Sequence, residues 1–151
     1  MREQFARQLY DLMKIDDRIL FITADLGYGI FDRIREFTGR FFNVGAAEQV
    51  MMDMAVGFAL SGKVPVVYSI TPFLIFRPIE TIRLYIDKEN IPVIMAGSGR
   101  GKDYFLDGFS HDASDHDILK FFKNIRFIED ETFDLQEIVN SGKPTYLNLK
   151  R

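Results

Sequence analysis

An α/β fold, a doubly wound and mostly parallel sheet with helices on both faces, is what this 151-residue sequence predicts. Three observations point to it. Five or six short runs are apolar throughout instead of alternating with polar residues, the mark of strands covered on both faces. Stretches with apolar residues at helical spacing lie between them and supply the crossovers that parallel strands need. The length suits one domain with a single core, and no internal repeat, low-complexity tract or Pro/Gly/Ser linker divides it, so residues 1–151 are read as one domain.

The elements follow in order. Phe5, Leu9, Leu12 and Met13, at i, i+4, i+7 and i+8, give residues 2–14 one apolar helical face. Residues 18–23 are a buried strand ending at Ala24-Asp25-Leu26-Gly27, and residues 30–37 a second helix. Residues 41–44 form a strand, followed by a helix over 46–60 that stops at Gly62. Residues 64–68 are a strand, 73–87 a helix and 91–96 another strand. A loop then runs from Gly97 to about Asp117, which is long for a compact domain and typical of segments that carry function or stay disordered. Residues 118–123 are a short helix, 125–128 a strand, 133–139 a helix and 145–149 the last strand. Ligands of such sheets sit beyond the carboxyl ends of the strands, which singles out 24–29, 45–49, 69–77, 97–116 and 150–151.

Composition excludes several classes. Nineteen Lys and Arg against twenty-two Asp and Glu leave a net charge of −3, a poor match for the broad basic surface of a nucleic-acid binder. The absence of cysteine removes disulfide scaffolds, thiolate zinc sites, iron–sulfur clusters and cysteine nucleophiles. No apolar run approaches the roughly 18 residues of a membrane span, and the start Met-Arg-Glu-Gln has no signal-peptide core, so a cytoplasmic protein away from membranes is expected. Fifteen Phe and six Tyr with no Trp suit a small core that also donates a face to another molecule.

Four constellations carry possible chemistry. Gly97-Ser-Gly-Arg-Gly-Lys102 follows a strand but fits neither G-x-x-x-x-G-K-[ST] nor G-x-G-x-x-G, and no helix opens after it to meet a phosphate. His111-Asp-Ala-Ser-Asp-His116 holds both histidines, yet no third ligand with metal spacing accompanies them, so no metal site is expected on this chain. His116 reads as a solvated residue at a helix start, whereas His111, on the long loop, stands evenly between proton handling and simple solvation. Glu48 suits the first turn of its helix by charge alone. Its neighbours Val44-Gly-Ala-Ala47 and Met51-Met52 are small or apolar, so desolvation should raise its pKa and favour sharing a proton with a ligand nitrogen. Phe73, Phe76 and Arg77, at i, i+3 and i+4, put two rings on one helix face, either as core or as a flat platform for a heterocycle.

Read together, several segments resemble one family in order along nearly the whole chain. Arg2-Glu-Gln-Phe-Ala-Arg-Gln-Leu9 is similar to an opening R-x-x-F-x-x-x-L helix, and Thr23-Ala-Asp-Leu26 to an A-D-L turn. Arg40-Phe-Phe-Asn-Val-Gly-Ala-Ala-Glu-Gln49 is similar to R-F-x-N-x-G-I-A-E-Q, the most specific of the matches. Residues 55–62, 73–83 and 91–93 are similar to A-x-G-x-A-x-x-G, F-x-x-F…I-R and L-P-V, and Leu106-Asp-Gly-Phe-Ser-His111 to a D-G-x-T-H loop. This pattern resembles the pyrimidine-binding domain of the transketolase family of thiamine-diphosphate enzymes, and in particular the separately encoded C-terminal subunits of split transketolases.

The resemblance implies roles. Glu48 would hydrogen-bond the aminopyrimidine of thiamine diphosphate and activate it, with Phe73 and Phe76 stacking on that ring and Asp25 and Leu26 lying against the thiazolium. Asp107 and His111 would hold the hydroxyls and carbonyl of a ketose donor, His111 as a catalytic group, and Arg2 and Arg151 stand where the family places arginines for a sugar phosphate. The chain departs from the family at Pro78-Ile79, where a further aromatic is usual, near Ser98-Gly99, where a histidine is usual, and around Gly29, where a serine is usual. It lacks the family's G-D-G and N-N segments, which hold diphosphate and metal, and the third domain. The resemblance therefore implies a partner chain bearing the diphosphate domain with Mg (or Ca), in an α2β2 heterotetramer. The implied reaction is transfer of a two-carbon ketol unit from a ketose, a small sugar or sugar phosphate, to an aldehyde. The alternatives are a synthase or 2-oxo-acid decarboxylase subunit of the same cofactor class, or a non-catalytic assembly or regulatory module.

Overall fold

The computed structural model describes residues 1–114 and 116–151, with His116 placed by its backbone alone, so the expected solvation of the His116 side chain lies outside what it describes. Six strands, β1 (Ile19–Thr23), β2 (Phe41–Asn43), β3 (Val64–Ile70), β4 (Ile94–Ser98), β5 (Arg126–Ile128) and β6 (Thr145–Leu149), join in one sheet. The order is β2-β1-β3-β4-β6-β5 and every pair is parallel. The chain leaves β1 toward β2 at one edge and returns to place β3 on the other side of β1, which opens a crevice at the carboxyl ends of β1 and β3.

Alternate strand residues feed two cores, which is why the runs are apolar throughout. On one face Ile19, Phe21, Val66, Tyr68, Leu147 and Leu149 pack beneath α1 (Arg2–Ile15) and α5 (Leu135–Ser141). On the other, Leu20, Ile22, Val67, Met95 and Tyr146 pack against α2 (Glu48–Leu60) and α3 (Thr71–Phe76). Met51 and Met52 are fully buried in this second core, filling it as flexible apolar side chains do. Among the described residues no helix is long and apolar enough to cross a membrane.

Several elements differ from expectation, among them the short helix expected over 118–123, which is a 3-10 helix over His116–Phe121. The helix expected over 30–37 is only a 3-10 turn, Asp32–Glu36, because the chain adopts left-handed backbone at Gly27 and Gly29 before it and at Gly39 after it, leaving too few residues to propagate an α-helix. The helix expected over 73–87 begins at Thr71 and breaks at Pro78, which has no N–H to continue the ladder. It resumes as α4 (Ile79–Thr81), which runs straight into a π-helix, Ile82–Lys88. The stretch after β4 forms short 3-10 turns at Phe105–Asp107 and Phe109–His111 and one antiparallel bridge between Gly101 and Ala113.

Helix α5 is held at its start by Asp134, whose carboxylate accepts the Gln136 N–H at 2.9 Å. Replacing it by Ala frees that N–H, and Asp134→Ala is expected to cost about 1 kcal/mol, read as a fall of a few degrees in melting temperature with the crevice at the carboxyl ends unaffected.

Candidate active site

The crevice between the ends of β1 and β3 is a cleft of about 180 Å³ lined by Ala24, Asp25, Leu26, Ala46, Glu48, Ile70, Phe73, Arg77 and His111. Glu48 opens α2 and is 2% exposed. Its carboxylate is bound on both oxygens. The Ser69 hydroxyl, itself fully buried at the end of β3, donates to Oε1 at 2.8 Å, and the Arg77 guanidinium donates to Oε2 and forms an ion pair with it. The burial of Glu48 agrees with its small and apolar sequence neighbours. The cation beside it was not visible from them, since Arg77 reaches it from the helix that Pro78 ends.

Phe73 and His111 meet edge to face, 4.9 Å between ring centres at 72°, and the Arg77 guanidinium lies over the Phe73 ring, 4.2 Å from its centre. His111 Nδ1 is 3.1 Å from the Ser110 hydroxyl. Asp25 takes left-handed backbone, φ 53°, a conformation aspartate tolerates better than most residues. It is pinned there by Asn43, whose Oδ1 accepts the Asp25 and Gly45 N–H groups at 2.9 and 3.1 Å. Tyr28, 64% exposed, donates its hydroxyl to Asp25 Oδ1 at 2.5 Å. Leu26 is fixed by its carbonyl, which accepts the Thr23 hydroxyl at 3.1 Å.

The structure thus brings Glu48, Phe73, Asp25, Leu26 and His111 into one cleft. Phe76 is 37% exposed and is not among the residues lining it. Asp107 is exposed on the turn Phe105–Asp107 and does not line the cleft either. Arg2 and Arg151 come together elsewhere, lining a second cleft of about 240 Å³ with Met1, Glu3 and Ile30. Tyr104 organises them: its hydroxyl accepts from Arg2 Nη1 at 3.2 Å, and the Arg151 guanidinium lies 5.0 Å from its ring centre. The same hydroxyl is 2.9 Å from Ser98 Oγ. Burial pushes the Tyr68 phenol up, against the opposing pull of its Ser98 hydrogen bond and the Arg2 charge.

Sequence reasoning gave no site role to Ser69, Arg77 or Tyr28. Ser69 stood within the segment expected beyond a strand end, but inside an apolar run it reads as a core residue. Arg77 stood in the sequence beside Phe73 and Phe76 at helical spacing, which does not reveal its pairing with Glu48.

An all-parallel doubly wound sheet with a buried carboxylate, an aromatic face and an imidazole at its switch point defines a ligand-binding α/β domain of the kind that serves cofactor enzymes. Residues 1–126 match the family described as transketolase, pyrimidine binding domain, and the chain belongs to that family of thiamine-diphosphate-dependent enzymes. It is 34% identical over 122 residues to one of the subunits of the apulose-4-phosphate transketolase of Actinobacillus succinogenes, covering 77% of this chain and 39% of that protein. It is 38% identical over 111 residues to the 1-deoxy-D-xylulose-5-phosphate synthase of Desulforudis audaxviator, covering 72% and 17%. Among solved structures, a split gene transketolase, described as an inactive beta4 tetramer, superposes with a TM-score of 0.85 at 26% identity, over 99% of this chain and 51% of that one. The chain therefore spans about half or less of the length of these proteins.

Proposed function

We propose that this chain is the pyrimidine-binding subunit of a two-chain thiamine-diphosphate-dependent transketolase, transferring a two-carbon ketol unit from a ketose to an aldehyde. The observation that carries the reading is Glu48: a carboxylate 2% exposed, at the carboxyl end of a parallel sheet, beside an aromatic face. That donor set fits an aminopyrimidine, which needs an apolar slot, a ring to stack on and one carboxyl group to share a proton. When bound, thiamine diphosphate supplies a carbon nucleophile that accepts the two-carbon unit.

The chain's own residues do the rest. Ser69 occupies Oε1, so Oε2, on which Arg77 donates, is the oxygen that would share a proton with the ring nitrogen. Phe73 offers the stacking face, with Phe76 beside it on the same short helix. Asp25 and Leu26, fixed by Asn43 and Thr23, form the wall toward the thiazolium. His111, on the rim, hydrogen-bonds the donor's oxygens, with Asp107 on the same loop reaching the sugar hydroxyls as that loop meets substrate. Arg2 and Arg151, gathered by Tyr104, are a paired cationic site for a phosphate at the far end of a sugar.

Among the described residues no group of three or more His, Asp or Glu side chains is arranged to hold a metal ion. We assign the diphosphate and its Mg (or Ca) to a diphosphate-domain partner, in an α2β2 assembly; the similarity to a split gene transketolase and to one subunit of an apulose-4-phosphate transketolase supports two chains. The reading extends to a cytoplasmic enzyme of carbohydrate metabolism. The test is to recover the chain from its own cell extract and weigh its companions. A stoichiometric chain carrying G-D-G…N-N, cofactor binding by the pair alone, and two-carbon exchange between a ketose and an aldehyde are expected. A chain recovered alone that binds no cofactor would overturn the reading in favour of an assembly module, and condensation of a 2-oxo acid instead of ketol transfer would assign the synthase branch.

A further inference from the structure

Arg77 makes both of the contacts that the pyrimidine ring requires. Its guanidinium sits over Phe73, 4.2 Å from the ring centre, and its Nη1 donates to Glu48 Oε2. The other oxygen is taken by a fully buried hydroxyl, so Oε2 is the position left for a ring nitrogen. A guanidinium and an aminopyrimidine protonated at the shared ring nitrogen present the same features to such a slot, a π face for an aromatic and an in-plane N–H for a carboxylate. The two compete for one ring face and one carboxylate oxygen, because Arg77 holds both contacts in this cleft.

We infer that Arg77 is a built-in occupant of the pyrimidine position, which the cofactor must displace. The inference rests on the reading of the cleft just given, and deepens it. The physical reason for such an occupant is the burial of Glu48: an ionised carboxylate 2% exposed needs a partner when no ligand is present. Arg77 can serve and then leave, because its side chain is 43% exposed and stands at the end of α3, just before Pro78. Binding then exchanges one planar donor for another on the same oxygen, and the apparent affinity falls by the fraction of molecules in which Arg77 has swung away.

The experiment uses the full chain and the pyrimidine half of the cofactor, 4-amino-5-hydroxymethyl-2-methylpyrimidine, titrated by NMR. Arg77→Met and Arg77→Gln are expected to bind this probe roughly tenfold or more tightly than the wild-type chain. In the wild type the Arg77 guanidinium resonances should move from a protected to a solvent-like state as the probe saturates. Gln, shorter and uncharged, keeps a polar group near Glu48 without the guanidinium over Phe73 and guards against loss of fold in the Met variant, and spectral dispersion reports folding of both. Equal or weaker binding by both variants, with binding still abolished in Glu48→Gln, would overturn the inference while leaving the cleft as the pyrimidine site. Probe binding that is absent throughout, or unchanged in Glu48→Gln, would overturn the inference and the reading of the cleft together.

Discussion

On the function proposed above, Glu48→Gln is expected to lower turnover of the assembled enzyme roughly 10²- to 10⁴-fold, the span usual for loss of a positioned acid–base group, while leaving the fold intact. The amide is nearly isosteric with the acid and can still accept the Ser69 hydroxyl through its oxygen. Its NH₂ then faces the Arg77 guanidinium, donor against donor, but Arg77 is 43% exposed and can turn to water at little cost. The structural penalty is therefore small and the chemical one large, because an amide neither gives nor takes the shared proton. The measurement is kcat in the reconstituted complex, alongside thermal melting of the free chain. A kcat within threefold of wild type, with an unchanged melting temperature, would remove Glu48 from the chemistry.

The largest effect on stability is expected from Phe21→Ala. Phe21 is fully buried among other rings: Phe31, Phe41 and Tyr68 lie 4.7, 6.0 and 6.3 Å away between ring centres. β1 is hydrogen-bonded on both sides, to β2 and β3, so the backbone cannot collapse into the vacated space. A cost of about 3–5 kcal/mol follows from the lost burial and the residual cavity, and a fall in melting temperature on the order of 10 °C. A loss below about 1 kcal/mol would mean that the neighbouring rings close over the gap, and that the aromatic cluster is less rigid than its interlocked geometry indicates.

The sheet was legible because its signal is redundant. Strands such as Val64-Pro-Val-Val-Tyr68 are covered on both faces, so every position votes for burial, and register need not be known to assign them. Helices α1 and α2 were legible from spacing and from Gly62. The segments around 30–37 and 73–87 were misjudged for one reason: apolar residues at helical spacing were given more weight than the glycines and the proline that interrupt them. In the cleft, Glu48, Phe73, Asp25, Leu26 and His111 could be drawn together from strand ends and motif order. What could not be read is pairing between elements, such as Arg77 with Glu48 across 29 positions, or Arg2 with Tyr104 across 102. Such contacts depend on side-chain direction at element ends, which neither periodicity nor spacing records.

The two outermost strands, Phe41–Asn43 and Arg126–Ile128, are only three residues long. Each border of the sheet thus presents so few unpaired backbone groups that an incoming strand gains almost no ladder, and the sheet has nowhere to grow. Another chain must be met by side chains, on the helical faces or on the rim of loops at the carboxyl ends. The short margins thus guard against strand-by-strand, fibre-like stacking.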